Sequence, residues 1–297
     1  MNHLGEIAAI GAAICWTGTA LVFESVTRKA GNLAVNTIKL SMALILMSLL
    51  AYFWRGFLLP FDANTHQVVW LVLSGIVGFV IGDICLFQAY IKVGSRVSML
   101  IMSLAPPITA AFSWPLLGEP LNTPQIAGIL VTVSGIILVV LKKEKNEKRI
   151  RFRYSFVGIL LAFGGAAGQA AGLMMSKFGM DDYDFISATQ IRVISGMTGF
   201  WLVSIFSMNV RKVLHTFRDK WSMRQIAIGA IFGPFIGVSL SLLAVQNSLT
   251  GVASTLMAIV PILIIPPAVF LFKEKVTARE IIGASISVIG VAILFLF

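Results

Sequence analysis

The feature that most constrains this sequence is a stretch that occurs twice, 155 residues apart. Residues 78–135 align without a gap on residues 233–290, and the positions that coincide are mainly glycines, a proline and a glutamate. These residue types set close backbone approaches, kinks and helix ends, so chance similarity between two apolar segments would not select them. The sequence therefore predicts an internal duplication. The matched positions are Gly78 with Gly233, Gly82 with Gly237, Ala89 with Ala244, Pro106 with Pro261, Glu119 with Glu274, Gly128 with Gly283 and Gly135 with Gly290.

The composition places both copies in a lipid bilayer. Of the 297 residues, 58% are hydrophobic and only 12% are charged, which is typical of a multi-span membrane protein. The net charge of +10 would suggest nucleic-acid binding in a soluble protein. In a membrane protein, the basic residues instead indicate which loops face the cytoplasm. Cys15 and Cys85 both lie in apolar runs and predict neither a disulfide nor a metal site. We therefore expect no metal, no cofactor and no nucleic acid as partner.

Apolar runs of about twenty residues predict ten transmembrane helices. The fold class is an all-α membrane protein, in which a charged linker (residues 142–153) separates a first five-helix repeat (1–141) from a second (154–297). The predicted spans are residues 4–23, 33–53, 69–91, 95–117, 124–141, 155–176, 185–207, 224–246, 251–272 and 278–297.

The basic residues predict the orientation of these spans. Of the 23 Lys and Arg residues, 19 fall on one side of the predicted bilayer and two on the other. Basic loops stay in the cytoplasm, so both termini should be extracytoplasmic. Because each repeat has an odd number of spans, the second repeat is inverted relative to the first. Two inverted five-helix repeats are the ground plan of many secondary transporters, and we expect the protein in a bacterial inner membrane.

Three ionisable residues lie deep in predicted spans, where charge is costly and usually functional. Lys39 should lie about 9 Å and Asp83 about 12 Å below the cytoplasmic edge, at about 1.5 Å per residue, so the two can pair. Arg192 matches Lys39 in the second repeat, but the residue matching Asp83 is Val238, so Arg192 has no expected partner. An unpaired guanidinium suits a carboxylate or phosphate.

Alternative interpretations of the same residues stay open at this stage. Lys39 and Arg192 could extend their side chains to the nearer interface. A buried Asp83 could carry a coupling proton, or form only a structural salt bridge with Lys39.

Other residues extend the candidate substrate-binding set. Trp16, Gln169 and Gln190 are polar or aromatic residues at helical positions that could line a cavity, although each could equally serve helix packing. Pro106 and Pro261 fall inside spans four and nine, where they should kink the helices and could line a cavity. No catalytic motif accompanies them.

Several of these residues together resemble a known family. The segment Trp16–Gly18, residues 89–98, Pro106, residues 118–121 and the later glycines are similar to an EamA-type repeat of the drug/metabolite transporter superfamily. Residues 261–290 are similar to a second copy. The resemblance implies a single-chain pseudo-dimer that moves small metabolites without ATP, with a cavity walled by the first four helices of each half. Gln169 departs from the pattern because it stands where the first repeat has Trp16.

The function predicted from the sequence is a secondary-active transporter of an amino-acid-like or carboxylate metabolite, working by alternating access, with export favoured. Uptake is the alternative within transport. A membrane-embedded enzyme is the alternative of another class, but the pair Asp83 and Lys39 lacks an accompanying nucleophile or metal. The expected partners are the small-molecule substrate, the lipid bilayer and a coupling proton, with the protein a monomer or homodimer.

Overall fold

The computed structural model describes residues 3–117, 122–143, 150–248, 250–270, 273 and 276–296. These residues are almost entirely helical, which confirms the all-α part of the predicted fold class. The first half contains α1 (Leu4–Ala30), α2 (Asn32–Arg55), α3 (Thr65–Gly75), the π-helical segment π1 (Ile76–Gly82), α4 (Asp83–Val93), α5 (Ser95–Met102), α6 (Ala105–Leu117) and α7 (Thr123–Val140).

The second half repeats this order with small differences. It contains α8 (Phe156–Met180), α9 (Phe185–Phe206), α10 (Val210–Thr216), α11 (Lys220–Ala230), the π-helical segment π2 (Ile231–Gly237), α12 (Val238–Asn247), α13 (Thr250–Met257), α14 (Val260–Leu263), α15 (Ile265–Phe270) and α16 (Ala278–Leu296). In the predicted linker, two three-residue strands, β1 (Leu141–Lys143) and β2 (Ile150–Phe152), pair antiparallel. Glu119 and Glu274, matched in the duplication, lie outside the described residues.

The long apolar helices make this chain a multi-pass membrane protein. Seven helices within the described residues are long and apolar enough to cross a bilayer, or eight if α9 and the sharply bent α10 form one span. Within the described residues, and apart from single residues at span ends, each predicted span falls on one helix or on a run of consecutive helices. The fourth predicted span is broken between α5 and α6, which makes each piece too short to count alone. Ten crossings therefore stay a prediction.

The two π-helical segments lie at equivalent places in the duplication. The 155-residue offset carries Ile76–Gly82 onto Ile231–Gly237. In a π-helix each N–H bonds to the carbonyl five residues back, and such insertions in α-helices are frequent at functional sites. The sequence did not predict them, although glycines at both positions, and Pro234 within π2, weaken regular α-helical bonding there.

Each half packs against the other through these segments. The run from α3 to α4 crosses α8, where the Ser74 hydroxyl donates to the Gly172 carbonyl over 2.6 Å. A side chain at Gly168 would place its Cβ only 2.7 Å from the Gly82 Cα, so glycine is required for this approach. We call this contact the first crossing.

In the second crossing, the run from α11 to α12 packs against α1. Here the partner of the glycine stripe is bulky, since the Cβ position of Gly233 lies 3.4 Å from the Phe23 ring and 3.5 Å from Thr19. Two related crossings between the halves therefore share a backbone plan but have different packing. The central residues of both crossings form the candidate site.

Candidate functional site

A buried ion pair lies at the first crossing. Lys39 on α2 donates from Nζ to the Asp83 Oδ2 atom over 2.7 Å, as the depth of the two residues predicts. Lys39 is 4% and Asp83 5% exposed. Asp83 begins α4 directly after π1, so the π-helical turn sets where the carboxylate lies. Because both charges are removed from water, each depends on the other for compensation.

Gln169 completes the coordination of the carboxylate from the other half of the molecule. Its Nε2 atom donates to the Asp83 Oδ1 atom over 3.1 Å and to the Gly78 carbonyl over 3.3 Å. The second contact reaches a backbone oxygen inside π1. Gln169 thus connects α8 to both the carboxylate and the π-helical turn, and both Asp83 oxygens have a donor.

Aromatic rings surround the Lys39 ammonium. Its Nζ atom lies 4.0 Å from the ring centroid of Phe87 and 5.1 Å from that of Phe23. The faces of aromatic rings attract cations, and the attraction is largest where water is excluded. The Lys39 side chain is therefore held among buried helices by Asp83 and these rings, and does not extend to the outside of the helix bundle.

Arg192 lies beside the pair but has no hydrogen-bond or salt-bridge partner among the described residues. It is 3% exposed, and its Nε atom is buried without a hydrogen-bond partner. Within the described chain its guanidinium donates no hydrogen bond and forms no salt bridge. Its Nη2 atom lies 3.4 Å from the Cβ position of Gly78, and its Cζ atom lies 5.1 Å from the Phe79 ring centroid. The structure thus holds a buried guanidinium without a hydrogen-bond partner against π1, near enough to Asp83 for the two charges to attract each other.

Trp16 lies at the second crossing. Its Nε1 atom donates to the Ser241 hydroxyl over 3.3 Å, and Ser241 in turn donates to the Gly237 carbonyl over 2.8 Å. The indole also packs against the cluster that contains Phe79 and Val238. Trp16 and Gln169, which match in the two repeats, therefore both connect to a π-helical segment, but only Gln169 does so beside a charge.

Gln190 lies apart from this cluster. It is fully buried, and its Nε2 atom donates to the Ser48 hydroxyl over 2.9 Å and to the Leu58 carbonyl over 2.6 Å. Two residues along a helix point to nearly opposite faces, so Gln190 and Arg192 face different neighbours. Gln190 holds the α2–α3 connection rather than contacting the Lys39–Asp83 pair.

The helices break near both predicted kink residues. The chain leaves α5 at Met102 and enters α6 at Ala105, directly before Pro106. Pro261 lies at the start of α14, after a break behind Met257. Pro261 lines a small pocket with Arg96 and Glu280.

Two further contacts tie connections of one half to those of the other. The Tyr183 hydroxyl donates to the Asp62 carboxylate over 2.9 Å, which joins the α8–α9 connection to the α2–α3 connection. At the opposite end, the Lys29 Nζ atom lies 2.5 Å from the Asp219 carboxylate. The hydrogen bonds from Lys29 and then Ser222 lower the pKa of Asp219 to about 2. Burial raises the pKa of Tyr183.

The sequence interpretation missed the aromatic neighbours of the two cations. Phe79, Asp83 and Phe87 are spaced four residues apart, so they share one helical face. That spacing was visible in the sequence and marks the rings that face Arg192 and Lys39. Within the described residues, no group of three or more His, Cys, Asp or Glu side chains could hold a metal ion.

The fold and the buried charges define a helical multi-pass membrane protein with a polar centre between two related halves. A family model supplies the closer assignment, because the EamA-like transporter family matches residues 3–141 and again residues 156–296. The chain belongs to the EamA-like transporter family. The resemblance drawn from the sequence is therefore confirmed.

The chain is also similar to a curated transport protein and, in fold, to a solved structure. The probable transport protein YPL264C of Saccharomyces cerevisiae is 32% identical over 71 residues, which are 24% of this chain and 20% of that protein. The aligned part thus spans about a fifth of the relative's length. A protein of known crystal structure aligns with this chain with a TM-score of 0.65 at 16% identity, and the alignment covers 98% of this chain and 96% of the other. This likeness concerns the fold alone.

Proposed function

We propose that this EamA-like transporter is a secondary-active carrier that moves a small carboxylate or amino-acid-like metabolite by alternating access. Ten spans arranged as two inverted five-helix repeats enclose the site, and the halves rock about the two crossings. The support is the placement of the charged cluster, since Lys39 and Asp83 come from the first half while Gln169 and Arg192 come from the second. A site shared between halves changes when the halves move.

The proposed substrate class rests on Arg192, whose buried guanidinium has no hydrogen-bond or salt-bridge partner among the described residues. A buried cation without a counter-ion is costly, and charge inside a membrane protein is usually retained for function. Lys39 and Asp83 neutralise one another, so the cluster has one net positive charge. A monoanionic group of the substrate balances it, and the guanidinium fork fits a carboxylate through two parallel hydrogen bonds.

The remaining site residues take supporting roles in this proposal. Asp83 and Gln169 orient the π1 segment against Arg192, and Asp83 is the carboxylate through which a proton could couple. Trp16 forms the aromatic wall at the second crossing. Pro106 and Pro261 provide the breaks at which the fourth and ninth spans bend.

The test of the site is transport in proteoliposomes loaded with a panel of labelled monocarboxylates and amino acids. Loss of one charged hydrogen-bonding group costs about 1.5–3 kcal/mol, so Arg192→Gln should lower efflux of the transported compound by roughly 10–100-fold. Arg192→Lys should recover part of it, because it keeps the charge but not the fork. Lys92→Gln, which removes an exposed cation, is the matched control. Unchanged efflux by Arg192→Gln would remove Arg192 from the site.

Direction and orientation have their own tests. Export predicts that overexpression protects cells from a toxic analogue of the substrate, whereas sensitisation would indicate uptake. The predicted inner-membrane topology places a reporter fused after Leu141 in the cytoplasm and one fused after Phe297 outside it. Reporters on the same face would contradict the inverted repeat.

A further inference from the structure

The connection between α9 and α11, at one end of the helix bundle, is rich in basic residues that the proposed transport site does not use. The chain turns by 117° between α9 and α10, so α10 runs across the end of the bundle instead of along it. One face of α10 packs inward on α2, with Val213 fully buried and Thr216 5% exposed. The other face is open, and we call residues 207–224 the basic connection.

Five exposed cations occupy the basic connection. No salt bridge in the described chain engages them, and the single acid of the segment, Asp219, is already held by Lys29 and Ser222. The positive charge of this surface is therefore uncompensated by the protein. The five residues are Arg211, Lys212, Arg218, Lys220 and Arg224.

Exposed apolar side chains lie among these cations. Leu214 is 55%, Phe217 45% and Trp221 43% exposed. Tryptophan and other amphipathic side chains concentrate at the level of the lipid headgroups. A segment that combines such residues with basic ones and lies across a helix end is suited to the plane of the membrane interface.

The corresponding connection in the first half provides an internal contrast. Residues 56–64 contain no Lys or Arg and one acid, Asp62. The nearest cation, Arg55, forms an ion pair with that Asp62. The duplication thus gave two related connections, of which only one carries free positive charge.

We propose that the basic connection binds the phosphodiester headgroups of anionic phospholipids, with Arg and Lys on the phosphates and Phe217 and Trp221 among the acyl-chain ends. The charge complementarity, the interfacial aromatic residues and the orientation of α10 all favour a lipid occupant. The inference is independent of which metabolite the protein carries.

The test uses the purified full-length protein in neutral detergent, titrated with phosphatidylglycerol or phosphatidylcholine and followed by native mass spectrometry. Each basic residue at an anionic surface contributes about fivefold in affinity, so the triple variant Arg211→Gln, Arg218→Gln, Lys220→Gln should weaken phosphatidylglycerol binding on the order of a hundredfold. Phosphatidylcholine binding should not change. Equal melting temperatures in detergent without added lipid show that the variant is folded.

A matched control neutralises three other exposed cations, through Lys92→Gln, Lys273→Gln and Arg279→Gln. This control variant should keep most of the affinity for phosphatidylglycerol. The loss in the first triple variant would then be due to the basic connection and not to the change in net charge. Equal losses in both triple variants, or no preference for phosphatidylglycerol in the wild-type protein, would overturn the proposal. Displacement of the lipid by millimolar glycerol phosphate would also overturn it, because it would indicate a site for a soluble anion.

Discussion

The two crossings between the halves descend from one sequence pattern but differ in chemistry. At the first, Asp83 and Gln169 meet beside π1 with Lys39 and Arg192 close by. At the second, Val238 replaces the carboxylate and the matched contact is a neutral hydrogen bond from Trp16 to Ser241. The shared glycines and π-helical turns preserve the backbone, while the side chains have diverged. We infer that the duplication keeps the moving parts at both crossings and concentrates ligand recognition at the first crossing.

The largest expected difference between the crossings is the cost of removing a charge at the first. Asp83→Asn leaves Lys39 buried without a counter-ion, which typically destabilises by about 3–5 kcal/mol. The matched change Val238→Ala removes two methyl groups and should cost about 1–2 kcal/mol. Thermal unfolding of both variants in detergent measures the difference.

A double variant checks the cause of that loss. Lys39→Met with Asp83→Leu removes both charges at similar volume, and such replacements are often neutral or stabilising. We expect the double variant to unfold near the wild-type temperature. If the double variant were as unstable as Asp83→Asn, the unpaired charge of Lys39 would not be the cause of the lost stability.

The second comparison concerns the fit of the backbones. Gly168→Ala at the first crossing forces a methyl group to within 2.7 Å of the Gly82 Cα. Overpacking of this kind costs about 1–3 kcal/mol. Gly233→Ala at the second crossing has ordinary contacts of 3.4 Å and 3.5 Å, so its stability should change by less than about 1 kcal/mol. Equal losses of unfolding temperature would show that the two positions are equally tightly packed.

The third comparison concerns the matched residues Gln169 and Trp16. Gln169→Leu removes a hydrogen bond to a charged acceptor, worth about 1.5–3 kcal/mol. Trp16→Phe removes a neutral hydrogen bond and should cost about 0.5–1.5 kcal/mol. Chemical or thermal denaturation of the two single variants measures both losses of stability. A larger loss for Trp16→Phe than for Gln169→Leu would contradict the view that the first crossing contributes more to stability than the second.

The sequence predicted the charged pair but not its surroundings. Lys39 and Asp83 could be matched because helical rise converts position into depth, and Arg192 could be named because its expected partner is Val238. The contact of Gln169 with Asp83 depends on which helices of the two halves cross, and no local pattern contains that information. The π-helical turns were missed for a related reason, since glycine and proline weaken α-helical bonding without specifying what replaces it.

The smallest expected effect is at the contact between Lys29 and Asp219. Asp219→Asn loses an exposed ion pair with Lys29, so the melting temperature at pH 7 should fall by roughly 1–2 °C. The folded-state pKa of Asp219 is about 2, below the unfolded value of about 3.9, so its contribution is present above pH 4 and lost as pH falls toward 2. The melting difference between wild type and variant should therefore shrink below pH 4.

The matched contact at the other end should matter more. Tyr183 is 9% exposed and donates to Asp62, so Tyr183→Phe should cost about 0.5–1.5 kcal/mol and exceed the effect of Asp219→Asn. If Tyr183→Phe destabilised the protein less than Asp219→Asn, burial of the contact would not determine its contribution to stability.

The central claim is that Arg192 is kept unpaired so that it can bind the anionic group of the transported molecule. The direct measurement is a thermal-shift screen of the purified protein against monocarboxylates and amino acids, with their methyl esters as controls that lack the carboxylate. We predict that at least one free acid raises the unfolding temperature in proportion to the logarithm of its concentration, that its ester does not, and that Arg192→Gln abolishes the shift. A stabilising ligand that acts equally as acid and ester, or equally on Arg192→Gln, would contradict the account.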